Sequence, residues 1–224
     1  MTTWPKHIED WGNCQRCPLA QQRSLICLAR GTMPCDVLFV GEAPGMTEDA
    51  LGLPFKGPAG ELLDEIIKRA MSATTTYLMT NLVACYPREA KERGDNEPER
   101  GEIMECRPRL VELANLAKPK LVVTVGGLAE NYIKGICTGP HISIVHPAYI
   151  LSKMPMVQKG FAVNKCVAQI ACALEELSKS KPQPFKEWSA GNASSKTRKQ
   201  HLRDIYDEAA LRDIVNPSGD DIPF

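Results

Sequence analysis

The chain has no apolar run approaching the roughly 20 residues that a membrane helix needs, which excludes a helical span from the sequence alone. Its first residues, Met1-Thr2-Thr3-Trp4-Pro5-Lys6, lack the charged-then-apolar order of a secretory signal, so a cytoplasmic location without membrane attachment is expected. It also lacks an excess of either charge: 27 Lys and Arg balance 27 Asp and Glu, and the balance holds within residues 1–177 (19 against 20) and 178–224 (8 against 7). Phosphate contacts come from Lys and Arg, so charge alone does not point to nucleic acid, and any basic surface must be local. There is no internal repeat. What remains, 224 residues with 43% hydrophobic and 24% charged content, suits one well-buried domain plus an appendage.

Nine cysteines are many for a cytoplasmic chain. Disulfides are rare in that compartment, so metal binding or catalysis is the first alternative. Four short apolar runs, residues 36–40, 77–83, 121–125 and 142–145, read as buried parallel strands. Helical spacing falls between them and after the last. Residues 61–70 place Leu62, Leu63, Ile66, Ile67 and Ala70 on one face behind Gly57-Pro58, residues 128–136 follow Gly126-Gly127, and 161–177 repeat Val163, Val167, Ile170 and Leu174. Strands alternating with helices imply an α/β fold: a three-layer α/β/α domain over a central four-stranded parallel sheet. The domain is expected to span 1–177. Residues 178–196 are linker-like, and 197–224 carry one amphipathic helical pattern and a tail.

In such sheets ligands sit at the carboxyl ends of strands, and the unusual residues fall there. The first strand leads into Gly41-Glu42-Ala43-Pro44-Gly45 and then Pro54-Phe55-Lys56-Gly57-Pro58-Ala59-Gly60. The second run contains Asn81, and the fourth ends in His146-Pro147-Ala148-Tyr149. Singly, each fits a turn, a cap or a structural histidine. Together and in this order they resemble the uracil-DNA glycosylase superfamily, and within it the iron–sulfur (family 4) type, over about residues 10–177.

That resemblance implies a monofunctional glycosylase that flips uracil out of DNA, hydrolyses its N-glycosidic bond and so initiates base excision repair. It gives Phe55 the role of stacking on the base and Asn81 that of reading its O4 and N3–H edge. His146 as neutral imidazole steadies the charge that develops on the ring, and Glu42 positions the attacking water. Backbone groups at Gly41 and Ala43 border the base, with Glu48 where a thymine methyl would enter. Cys14, Cys17, Cys85 and Cys106 suit iron–sulfur or zinc equally on spacing; the resemblance selects a 4Fe-4S iron–sulfur cluster. Cys27, Cys35, Cys137, Cys166 and Cys172 read as small buried hydrophobes.

The chain also departs from that pattern. Residues 88–100 are strongly charged and lack histidine, which argues against covalent trapping of DNA, and Ser152-Lys153 stands where the family commonly has Arg, leaving Lys153 as a DNA contact. These changes leave open a modified pyrimidine as substrate, or a catalytically weak DNA-binding and recruitment protein. The end, Asp220-Asp221-Ile222-Pro223-Phe224, resembles the tip of bacterial single-stranded-DNA-binding proteins: an apolar plug with acids suited to a basic rim on repair or replication proteins. A monomer is expected.

Overall fold

The computed structural model of the chain describes residues 2–88, 97–181 and 183–190. Its centre is a five-stranded sheet in the order β1-β3-β2-β4-β5, formed by Arg30–Gly31, Tyr77–Asn81, Val37–Gly41, Leu121–Val125 and His141–Ile144 respectively. Four strands are parallel, as expected from their continuous apolar character. The fifth, β1, is an antiparallel edge of two residues, pairing Arg30 with Met79 and Gly31 with Leu78.

The pleat sorts side chains to two faces. Leu38, Val40, Leu78 and Val122 pack with α5 (Arg100–Ala117) and α6 (Gly127–Ile133). Val37, Phe39, Met79, Val123 and Val125 pack with α4 (Pro58–Ala70), α7 (Pro147–Ser152) and α8 (Met156–Lys179). This is the expected three-layer arrangement. After β2 the chain adds β3 on one side and later β4 on the other. The carboxyl ends of β2 and β4 therefore flank a topological switch point, the place where open α/β sheets bind ligands.

The remaining helices are α1 (Trp4–Trp11), α2 (Leu19–Gln22) and α3 (Met46–Leu51). The first of them docks on α5 through polar chemistry. His7 is fully buried and its Nδ1 lies 2.6 Å from Glu112 Oε1, to which Trp11 Nε1 also donates at 3.3 Å. The segment bearing Cys14 and Cys17 is thereby held beside the helix bearing Cys106.

Helix α8 begins at Met156, five residues before the stretch in which helical spacing is visible, because Pro155 opens it and its first turns bury nothing: Met156, Val157 and Phe161 are exposed. At its other end the packed chain continues past Leu177. Trp188 is buried in the α5 face, and its backbone exchanges two hydrogen bonds with the Asn115 side chain at 2.8 and 3.2 Å. A single tryptophan among polar residues has no periodicity to announce it. The expected helix and docking tail within 197–224 lie outside the described residues, as do 89–96 of the charged loop.

Trp188→Ala should cost about 3–5 kcal/mol, as for other large-to-small changes in a core. Chemical denaturation of the full chain measures this, and a change within error of zero would mean that the segment is a free linker.

Candidate active site and four-cysteine centre

Gly41, the last residue of β2, lies beside Asn81, the last of β3, with which it is in register. A methyl group at Gly41 would stand 2.5 Å from the tip of the Phe55 ring and would also collide with Asn81 Oδ1. Glycine is thus required there because the aromatic ring and the amide close over it. Asn81 and Phe55 are both buried. Three of the expected base-binding residues are therefore brought together at the carboxyl ends of β2 and β3.

Phe55 has φ of 55°, in the left-handed region, where an aromatic residue carries on the order of 1–2 kcal/mol of strain. Two oppositely charged side chains hold it. Arg30 of β1 donates to Pro54 O and Phe55 O, each at 2.9 Å, and forms an ion pair with Asp64 of α4. Glu48 Oε1 accepts from the backbone N–H groups of Lys56 and Gly57 at 2.7 Å, and its Oε2 accepts from Gly45 N at 3.0 Å. The second contact also caps α3. Three consecutive peptide groups around Phe55 are thus pinned, the middle one from both sides. Gly60 completes the seat, since any Cβ there would strike the Phe55 carbonyl. The resemblance placed Glu48 at the base; the structure ties both of its carboxylate oxygens to loop amides.

At the carboxyl end of β5, His146 caps α7 by accepting from Ala148 N at Nδ1, 3.1 Å away. The neutral ring therefore carries its proton on Nε2, leaving that atom as a donor. Burial holds the His146 pKa below the ordinary imidazole value of 6.5. The ring packs on Gly126, which has φ of +97° and follows β4 directly; a Cβ there would lie 3.2 Å from Cδ2. Glu42 and Ala43 are half-buried in the turn after β2, and Glu42 O accepts from Val83 N at 3.2 Å. Lys153 is exposed at the end of α7.

Cys14, Cys17, Cys85 and Cys106 line one small cavity walled by Trp11, Ala84, Arg23 and Arg109. Two guanidinium groups point at sulfur: Arg23 Nη1 donates to Cys85 Sγ and Arg109 Nε to Cys106 Sγ, both at 3.3 Å. Burial pushes the Cys85 thiol up to about 11, against the pull of Arg23. Charged donors aimed at sulfur suit thiolate ligands. Among the described residues no three His, Cys, Asp or Glu side chains are gathered tightly enough to hold one metal ion. Four cysteine sulfurs around a shared cavity are a donor set that suits thiolate-bound metal. Of the other cysteines, Cys27, Cys35 and Cys166 are buried, with Cys27 and Cys35 pushed up to about 12, and Cys137 is half-buried. Cys172 departs from expectation and is exposed.

Sequence reasoning missed Arg30 and Arg109. Arginine reads as a surface residue, and β1 is too short to show alternation. Arg109 did leave one signal: it lies three residues after Cys106 in a helix, which puts the two on one face.

Two measurements follow from this geometry. In an NMR titration, His146 should protonate below pH 6.5, since protonation both charges a half-buried ring and sets an Nδ1 proton against the Ala148 N–H; a midpoint at or above 6.5 would contradict the seat described. Glu48→Gln leaves one oxygen to serve three donors and should destabilise the fold by about 1–3 kcal/mol in denaturant unfolding; no measurable loss would mean the loop is held by other means.

The family model of the uracil DNA glycosylase superfamily matches residues 30–171. A type-4 uracil-DNA glycosylase of Pyrobaculum aerophilum is 36% identical over 163 residues, covering 63% of this chain and 81% of that protein. Those of Sulfurisphaera tokodaii and Saccharolobus solfataricus are 35% and 33% identical over 134 and 121 residues. The matches span 59% and 54% of the lengths of those two relatives, against 59% and 54% of this chain. With the family's match running from Arg30 through β5 and into α8, the chain belongs to the uracil DNA glycosylase superfamily.

Proposed function

We propose that this chain hydrolyses the N-glycosidic bond of uracil in DNA, as the names of its type-4 relatives state for those proteins. The observation that carries the reading is the joint seating of Phe55 and Asn81 over Gly41, a position that excludes any side chain. A flipped base needs a stacking face and a reading group in one closed place.

In this mechanism the Phe55 ring, held by Arg30 and Glu48, stacks on the extruded base. Asn81 presents one donor and one acceptor, matching uracil O4 and N3–H; cytosine reverses that edge and would leave buried groups unpaired. As the glycosidic bond breaks, negative charge gathers on the ring. His146, neutral with its proton on Nε2, donates to O2 and stabilises that charge without having to lose a proton first. Glu42, on the turn after β2, orients the water that attacks the sugar carbon and offsets the positive charge developing there. Lys153 meets a phosphate. Glu48 acts through the loop that carries Phe55.

Cys14, Cys17, Cys85 and Cys106 hold a 4Fe-4S cluster in this reading. The cluster would serve as a rigid cross-link between the N-terminal segment, the turn after β3 and α5.

Incubating purified, metal-loaded protein with single-stranded and duplex oligonucleotides carrying one uracil tests the proposal directly. Free uracil and an abasic strand are expected, and release of neither would overturn it. Asn81→Ala should lower kcat/KM by about 10²–10³-fold, the usual cost of losing a positioned hydrogen-bonding group in a closed site. Unchanged activity would remove Asn81 from the reading role.

A further inference from the structure

Arg109 is 1% exposed and is the first of the largest fully buried side chains among the described residues. All three of its nitrogens donate. Nε reaches Cys106 Sγ at 3.3 Å, and Nη1 reaches Leu28 O at 3.2 Å and Thr80 Oγ1 at 3.0 Å. Nη2 reaches Asn81 O at 2.5 Å and Leu82 O at 3.4 Å. One rigid, planar fork therefore touches a sulfur of the four-cysteine centre at one edge and the carbonyl of the residue proposed to read the base at the other.

The charge of that fork is the second half of the argument. Among the described residues Arg109 forms no ion pair with a carboxylate. Carbonyl and hydroxyl dipoles solvate a guanidinium without neutralising it, and a buried charge lacking a counter-charge is costly. Cys106 Sγ is already its hydrogen-bond partner. As a metal-bound thiolate that sulfur is anionic, and so are its three companions. Arg23 repeats the arrangement on Cys85, so two cations face the sulfurs.

We propose that Arg109 is a positioning residue that couples the four-cysteine centre to the end of β3, taking its counter-charge from the thiolates through Cys106 while its far edge fixes the Asn81 carbonyl. Loading the centre then does more than staple the N-terminal segment to the domain. It sets the electrostatic balance that keeps Arg109 in place, and with it the backbone from which the Asn81 amide projects. The functional half of this inference rests on the proposed base excision; the structural half stands on the geometry of the cysteine centre alone.

The Leu82 amide reports the coupling, because Leu82 N donates to Gly41 O at 2.9 Å and joins the end of β3 to the end of β2. The test uses the full chain with its bound metal as wild type, Arg109→Gln and Arg109→Lys. It reads metal loss to a chelator, hydrogen exchange at the Leu82 amide in loaded and stripped protein, and kcat and KM for uracil release. Stripping wild type should speed Leu82 exchange, whereas Arg109→Gln should exchange fast even when loaded. Arg109→Gln should also lose metal about 10- to 100-fold faster, the usual scale for partners of metal ligands. In its loaded fraction kcat should fall while the Kd for uracil-free duplex stays unchanged.

Arg109→Lys keeps the charge but has one nitrogen in place of the fork. It should retain metal nearly as wild type does without restoring Leu82 protection. Wild-type metal retention in Arg109→Gln, or Leu82 exchange indifferent to metal in wild type, would overturn the coupling. Should Arg109→Gln fail to fold, Arg109→Lys decides, and Leu82 protection equal to wild type would count against the inference. If wild type releases no uracil, the proposed excision fails while the metal and exchange measurements still judge Arg109.

Discussion

A guanidinium sealed from water has to be surrounded by acceptors, and Arg109 recruits those acceptors from four separate places. Leu28 lies just before β1, Thr80 and Asn81 end β3, Leu82 begins the turn beyond it, and Cys106 lies one turn back on α5. The β1–β3 pairing already brings Leu28 beside the end of β3, and Arg109 joins α5 to that group. Because the planar group cannot bend, its bonds set the height at which α5 crosses the end of β3. Cys106 and Cys85 consequently face the same cavity as Cys14 and Cys17, and Asn81 ends the strand with its carbonyl fixed. Removing one acceptor would strand part of a buried cation, so the group resists piecemeal change more than an apolar core of equal volume would.

The loop that carries Phe55 follows the same logic on a smaller scale. A strained residue persists only where its surroundings over-determine it. Here Arg30 fixes two carbonyls and Glu48 two amides on either side of the strained peptide. A loop is the natural place for a binding residue, and also the least stable place to keep one. The charged pair holds this loop through four backbone hydrogen bonds, so the position of the aromatic face is set by the protein's own contacts. Pre-organisation of this kind lowers the ordering cost that a closing loop would otherwise add to binding.

Most of the fold was legible in the sequence, and the parts that were not share a cause. Residues 121–125 and 77–81 are apolar runs bounded by polar or turn residues, and buried parallel strands need little else to be recognised. The residues proposed for the pocket were singled out by the order of their motifs around Gly41, Asn81 and His146. By contrast β1 is two residues long and one of them is arginine, so nothing alternates. Trp188 is one aromatic in a polar stretch, and Cys172 is a small residue within an apolar helix that nevertheless faces outward. Arg30, Glu48 and Arg109 have charged side chains whose meaning lies in what they touch, Phe55 being 25 residues from Arg30 and Leu28 being 81 residues from Arg109. Periodicity reports which face of an element is apolar. It is silent on which charge is turned inward to bind backbone.

That silence explains how a chain with no net charge can be organised by charge. Balanced totals exclude a uniform field, yet they place no limit on local pairing. Around the carboxyl end of the sheet the charged groups are used one at a time, and each is set against dipoles or a single partner: Glu48 against three amides, Arg30 against two carbonyls and Asp64, Arg109 against three carbonyls, a hydroxyl and a sulfur. His146 belongs to the same scheme with the charge left out, since its Nδ1 already accepts from Ala148 and its burial opposes a second proton. The proposed excision puts developing negative charge on a base, and a site for it gains from this arrangement. Fixed dipoles and a neutral donor respond to that charge at once, whereas a mobile ion would first have to be moved or neutralised. The charges hold the frame, and the group proposed to meet the base is kept neutral.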